Sequence, residues 1–216
     1  MTSELTLHGY WRSSAAYRVR IALDLKCISY AQVNHDLRLS EQQAPAYRAI
    51  APHGLVPALD TGAGVLIQSP AVLEWIEERY RVPPLLPQDA LGRAVVRSMA
   101  SIVACDIHPL NNLRVLKDLR SRFGAGDDAV NEWIGRWITE GFAALETLIE
   151  IHGGGFCFGG VPTIADCCLV PQVYSAERFG VDLAPFPAIR AVVREANGNA
   201  AFRSAHPSAQ PDADVP

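Results

Sequence analysis

A chain of 216 residues, 49% apolar and 19% charged, can bury a substantial core as one large domain or two small ones. Its formal net charge of -4 runs against a nucleic-acid binder, which would carry a basic stripe. The first residues lack the basic and apolar regions of a secretory signal, and no apolar run is long enough to span a bilayer.

In chain order, "ELTLHGY" alternates like a strand, and apolar residues from Ala15 to Lys26 fall at helical spacing. "ISYAQVN" reads as a second strand and "SEQQAPAYRAI" as a weak helix broken or started at Pro45. "VPALD" and "GVLIQ" flank the turn Thr61-Gly62-Ala63-Gly64 as a hairpin. "SPAVLEWIEERY" then opens a helix, with Ser69 expected as its N-cap and Pro70 at the first helical position. The order β-α-β-α-β-β-α predicts a small α/β domain over residues 1–82. The proline-rich 83–89 reads as a linker, and 90–216 as an all-helical domain.

Within that second domain, helical periodicity runs over 90–121, 128–152 and 163–179 and for about ten residues after Pro187. Thr163-Ile164-Ala165-Asp166 has the form of a capping box, with Asp in place of the usual Glu. "HGGGFCFGG" has neither a preceding strand nor a following Lys-Ser/Thr, so it reads as an interhelical loop rather than a phosphate loop. The tail "HPSAQPDADVP" is expected to lie along the surface or to be disordered. Cys27, Cys105, Cys157, Cys167 and Cys168 show no framework or metal spacing, so reduced thiols in a cytoplasmic protein are expected. The six histidines form no metal-binding pattern.

The motifs carry a family resemblance over nearly the whole chain. "RSSAAYRVRIAL", "LVPAL", "IQSPAVLEWIEERY", "IHPLNNLRVLK" and "PTIADCCLVPQVYSAERFGVDL" are similar to segments of the zeta-class glutathione transferases, the maleylacetoacetate and maleylpyruvate isomerases. The resemblance implies an N-terminal thioredoxin-like domain followed by a helical one, and glutathione as cofactor. It further implies cis-trans isomerisation of a small dicarboxylate in aromatic catabolism and assembly as a homodimer. One departure stands out: the cysteine that usually follows the two serines is Ala15 here.

The residues after Tyr10 fit the chemistry. A helix N-terminus exposes unpaired N–H groups and the positive end of a dipole, which suits an anion such as a thiolate. A thiol pKa of about 8.5 leaves only a few per cent ionised at neutral pH. Lowering it by about two units needs ~2.7 kcal/mol of differential stabilisation. A helix terminus supplies ~0.3–2 kcal/mol, and a hydroxyl bond to the anion ~1.5–3 kcal/mol. From the residues alone, Ser13 and Ser14 can cap the helix, contact sulfur or divide these tasks; the resemblance favours Ser13 for the thiolate.

By resemblance, Val56 offers its backbone to the cysteinyl part of glutathione, next to a cis Pro57. Gln68 and Ser69 hold the γ-glutamyl end, Gln42 or Gln43 the glycyl end, and His108 and Asn112 contribute from the helical domain. Arg12 and Arg178 are the implied carboxylate-binding cations, a task suited to the planar guanidinium fork. Arg18 and Arg20 read as structural, one of them bridging to the helical domain. Two other readings stand beside the isomerase: a transferase that conjugates or dehalogenates small α-halo acids, and a transferase-like binding module without activity. A glutaredoxin-like reductase is disfavoured, because Ser-Ser-Ala-Ala stands where its nucleophilic cysteine belongs.

Overall fold

The computed structural model describes residues 5–214. Glu4, expected to open the first strand, and the last two residues of the tail lie outside the described residues. Two compact units are present: residues 1–85 with 197–216, and residues 86–196.

The first unit is built on β1 (Leu5–Gly9), α1 (Ser14–Leu25), β2 (Tyr30–Asn34), α2 (Pro45–Ile50), β3 (Ala58–Asp60), β4 (Val65–Ile67) and α3 (Ser69–Arg79). The sheet order is β2-β1-β3-β4, with β2 parallel to β1 and β3 and β4 antiparallel to their neighbours. This is the thioredoxin-like arrangement. The β3–β4 turn closes where Thr61 N–H donates to the Gly64 carbonyl at 3.0 Å, with Gly62 at a φ of 73° that suits glycine.

α1 is buried along almost its whole length and packs on α3 and on α9 (Ala200–Ala205). Its two interior arginines are buried and bonded: Arg18 Nη1 to Ser69 Oγ at 3.1 Å, Arg20 Nε to the Ala205 carbonyl at 3.0 Å. Both therefore serve the scaffold, as expected. The partner of Arg20 lies on a helix that the sequence grouped with the helical half, yet α9 packs within the first unit. The C-terminal end of α1 is fixed by Lys26, whose ammonium donates to Glu77 Oε2 and the Pro83 carbonyl, each at 2.7 Å. Leu85 N–H donates to the same Glu77 oxygen at 3.0 Å, so a buried charge pair anchors the start of the expected linker.

The tail is ordered against this unit. Gln210 is buried; its amide donates to the Ser204 and His206 carbonyls and accepts from Gln32. Asp212 accepts from Trp11 N–H at 2.9 Å, and Asp214 pairs with Arg38 at 2.7 Å. Side-chain amides and carboxylates hold this segment, which lacks an apolar pattern.

The second unit contains α4 (Ala90–Ser101), α5 (Leu113–Phe123), α6 (Asp127–His152), α7 (Ile164–Arg178) and most of α8 (Pro187–Gly198). The periodicity expected to run unbroken over 90–121 is interrupted. A π turn spans Ile102–Ile107 and the chain breaks at His108–Asn112, around Pro109. Gly141 of α6 allows that turn to approach: a Cβ there would fall 2.3 Å from Ile107 Cδ1. Val130, Ile134, Ile138, Phe142, Leu145 and Ile149 form the buried stripe of α6. Asp166 is fully buried at the start of α7 and accepts from Cys157 N–H at 2.8 Å, Thr163 N–H at 2.7 Å and the Thr163 hydroxyl at 2.8 Å. The glycine-rich 153–160 is thus an interhelical loop tied to a capping box, as its sequence indicates.

Candidate functional site

The strand register gathers one end of the first unit's sheet. β1 and β2 run parallel, with Gly9 opposite Asn34, so the segments that follow them leave at the same end. β3 runs the other way, with Ala58 opposite His8 and Ile67, so Val56-Pro57 enter and Gln68-Ser69 leave at that same end. The N-termini of α1 and α3 both open there, each with unpaired backbone N–H groups. Strand ends with converging helix N-termini are a recurrent ligand site in α/β sheets. Gly9 makes the crowding tolerable, since a Cβ on it would sit 3.3 Å from Ala16 Cβ.

Ser13 is the N-cap of α1, its Oγ accepting from Ala16 N–H at 3.2 Å. That bond uses a lone pair and leaves the hydroxyl proton for an acceptor placed before the helix. Ser14 is the first helical residue and is buried. Arg12 lies over the Trp11 ring, its guanidinium carbon 5.3 Å from the centroid, which aligns the cation beside the helix start. The Tyr10 hydroxyl is buried without a partner among the described residues, and burial raises its pKa, with Arg12 acting in the opposite sense.

Ser69 does not cap α3. Gln68 holds that position at φ 70° and ψ 109°, while Ser69 is the first helical residue and its buried Oγ accepts from Arg18. A left-handed φ at a non-glycine residue stores about 1–3 kcal/mol. It stands at a helix N-terminus, where the sequence placed a ligand contact. Val56-Pro57 is cis, and Val56 lies just outside the β3 ladder, which begins at Ala58.

The two glutamines divide clearly. Gln43 donates to the Gly54 carbonyl at 2.7 Å and accepts from Arg48, so both ends of its amide are engaged in the scaffold. Gln42 is buried, with its Oε1 lacking a partner among the described residues.

Three expected site residues lie in the second unit. His108 follows the π turn, its N–H bonded to the Val103 carbonyl at 2.9 Å. Asn112 caps α5 through a 3.2 Å bond from Arg114 N–H. Arg178 ends α7, exposed, with its guanidinium 5.3 Å from the Phe179 ring centroid and 5.8 Å from that of Tyr174. The sequence reading passed over Asn111, whose two side-chain amide atoms are buried without partners among the described residues. The signal was present in the doubled Asn of "HPLNN", where one amide can cap the helix and leave the other for a ligand.

The five cysteines form no disulfide; Cys157, Cys167 and Cys168 are buried. Burial pushes the Cys157 thiol well up, and Asp166 beside it adds to the effect, so this sulfur is inert as a nucleophile. Among the described residues no helix is long and apolar enough to cross a membrane.

Comparison with known proteins shows what the whole chain is similar to. Residues 7–84 match the model of the glutathione S-transferase N-terminal domain, and residues 114–195 that of the C-terminal domain. A maleylpyruvate isomerase from a Ralstonia species is 53% identical over 210 residues, covering 96% of this chain and 99% of its own. The holo structure of a maleylpyruvate isomerase, a bacterial zeta-class glutathione S-transferase, superposes with a TM-score of 0.95 at 53% identity, covering 97% of this chain and 100% of its own. A maleylacetoacetate isomerase from Methylobacterium extorquens, solved with malonate and glutathione bound, gives a TM-score of 0.93 at 39% identity, again over 97% of this chain and 100% of its own.

Proposed function

The chain belongs to the zeta-class glutathione transferases, in the group of maleylacetoacetate and maleylpyruvate isomerases, and from that premise we propose that it is a glutathione-dependent cis-trans isomerase of a small maleyl dicarboxylate. The observation that carries the reading is the convergence at one sheet end of the Ser13 hydroxyl, the Val56-Pro57 edge and the left-handed Gln68 before buried Ser69. The residues present fit the cofactor. Gln42 carries a buried oxygen without a partner among the described residues, an acceptor suited to the N–H of the glycyl end. The N-terminus of α3 suits the γ-glutamyl carboxylate, and Val56 can pair with the cysteinyl backbone like an added strand.

Bound glutathione supplies the sulfur nucleophile, which adds to the cis double bond and leaves again after rotation about the resulting single bond. The Ser13 hydroxyl would donate its proton to that sulfur while Oγ still caps α1, and the α1 dipole acts in the same direction. Arg12, steadied by Trp11, would hold a substrate carboxylate or the enolate oxygen that develops during addition. Arg178 is the second carboxylate cation by family resemblance. With Ala15 in place of the usual cysteine, the chain offers no thiol of its own at this position. Five cysteines that form no disulfide suit a reducing compartment, so the proposed setting is cytoplasmic aromatic catabolism, with a homodimer as the assembly.

The test is turnover of maleylpyruvate and maleylacetoacetate side by side with and without glutathione. Product should form only with glutathione, and calorimetry should show glutathione binding that Ser69→Ala weakens. The absence of heat with the wild-type chain at millimolar glutathione would remove the reading.

A further inference from the structure

Behind the Val56-Pro57 edge lies a pair of histidines that the isomerase chemistry does not use. His8 on β1 is buried, and its Nδ1 is 3.0 Å from Nε2 of His35, just after β2. The rings stack with centroids 5.3 Å apart. His35 is tied to the end of β1 by its N–H, 2.8 Å from the Gly9 carbonyl. Tyr47 of α2 presents its ring to His35 at 4.4 Å in an edge arrangement, and the Tyr47 hydroxyl donates to the Leu55 carbonyl at 2.8 Å. Tyr47 also forms a buried cluster with Ala51 and Ala58, against which the Val56 side chain packs. One continuous path of contacts therefore runs from the histidine pair through Tyr47 to the two residues that set the Leu55–Pro57 edge.

We propose that His8 and His35 are a proton-sensitive support for this edge, with Tyr47 as the positioning residue, so that acidification weakens glutathione binding while the fold persists. The inference rests on the glutathione reading above. A hydrogen bond between two imidazole nitrogens needs one donor and one acceptor, so it forms in the neutral or singly protonated pair and not when both rings are cations. At 3.0 Å two imidazoliums repel, and the stack must open.

The groups facing the pair are Asp60 of β3 toward His8, Glu41 toward His35, and the phenol of Tyr47, which burial pushes up to about 12 and keeps neutral. Both carboxylates favour the charged rings, but burial outweighs them and lowers both histidines; His8 lowers His35 further. Because both values are depressed, the support is fully present above the ordinary imidazole value of about 6.5, persists below it, and is lost only as the pH falls through the lowered values and the second ring takes up a proton. Opening of the stack removes the surface on which Tyr47 rests, and with it the bond that holds the Leu55 carbonyl.

The experiment is calorimetric titration of the full chain with S-methylglutathione, which has no ionisable thiol. It runs from about pH 7.5 down to the lowest pH at which far-UV circular dichroism is unchanged. Wild type should lose about tenfold in affinity across that range. The double variant His8→Asn/His35→Gln can keep a side-chain bond but cannot titrate, and its affinity should be flat. Tyr47→Phe, a milder change, should bind about fivefold more weakly at pH 7.5 with a reduced slope. A flat wild-type profile, an unaltered slope in the double variant, or unchanged binding in Tyr47→Phe overturns the proposal and leaves the glutathione reading standing. No binding by wild type at pH 7.5 overturns both.

Discussion

A single hydroxyl at Ser13 can serve two purposes, because its bond from Ala16 N–H uses a lone pair and leaves its proton free to act on sulfur. Removing it should therefore do two separable things. Ser13→Ala should lower kcat by roughly 10- to 100-fold, the loss of one hydrogen bond to an ion, with a much smaller change in glutathione affinity. Thiolate absorbance against pH should show the bound thiol titrating at a higher value, and loss of the cap should cost about 1 kcal/mol of stability. The same signature in Ser14→Ala alone would move the role to Ser14. The neighbouring glutamines yield a second expectation. Gln42→Ala should weaken glutathione but not γ-glutamylcysteine, which lacks the glycyl end, whereas Gln43→Ala should loosen the Gly54 turn and weaken both alike. Equal losses on the two ligands for Gln42→Ala would place it in the scaffold. Arg178→Ala should raise KM for a dicarboxylate far more than for a neutral haloarene, since only the first offers a carboxylate to the guanidinium; equal losses would make that arginine structural.

At the scale of the element, what the sequence revealed was local, and what it hid depended on distant partners. The start of α7 was legible because a capping box needs only Thr163 and Asp166 three residues apart. Asp166→Ala should cost roughly 3 kcal/mol or more, because three donors lose their acceptor, two of them backbone N–H groups; a shift of the urea midpoint at unchanged slope measures it. The start of α3 was misread by one residue. Ser69 has every local mark of an N-cap, but its oxygen is taken by Arg18, 51 positions away in sequence, and Gln68 takes the cap position in a left-handed conformation. The break after α4 was hidden for a related reason: a π turn keeps apolar residues facing inward, so the periodicity reads straight through Ile102–Ile107. The candidate residues of the first unit were legible as candidates because they sit beside strand ends or helix starts that the pattern marks. Asn111 and the His8–His35 pair were not, because an orphaned amide and a shared proton are properties of packing.

At the scale of the molecule, the first unit is discontinuous in sequence. α1 is covered by α9, with Tyr17 and Arg20 bonded to the Phe202 and Ala205 carbonyls and Phe202 buried. A fragment ending at Leu85 should therefore remain unfolded, since buried Arg20 would lose the Ala205 carbonyl and keep only that of Trp11, and α1 would lose one apolar face. Joining residues 197–216 to it through a flexible linker should restore a cooperative melt by circular dichroism; a stable fold in the short fragment would contradict this division. The account's central claim is that the chain isomerises a maleyl dicarboxylate with glutathione sulfur alone, Ala15 standing where its relatives' group usually has a thiol. The most direct measurement is turnover of maleylpyruvate by protein first alkylated at its exposed thiols, Cys27 and Cys105, with and without added glutathione. The account predicts undiminished turnover with glutathione and none without it. Turnover in the absence of glutathione, or its loss on alkylation with the fold intact, would place a protein cysteine in the chemistry and contradict the mechanism.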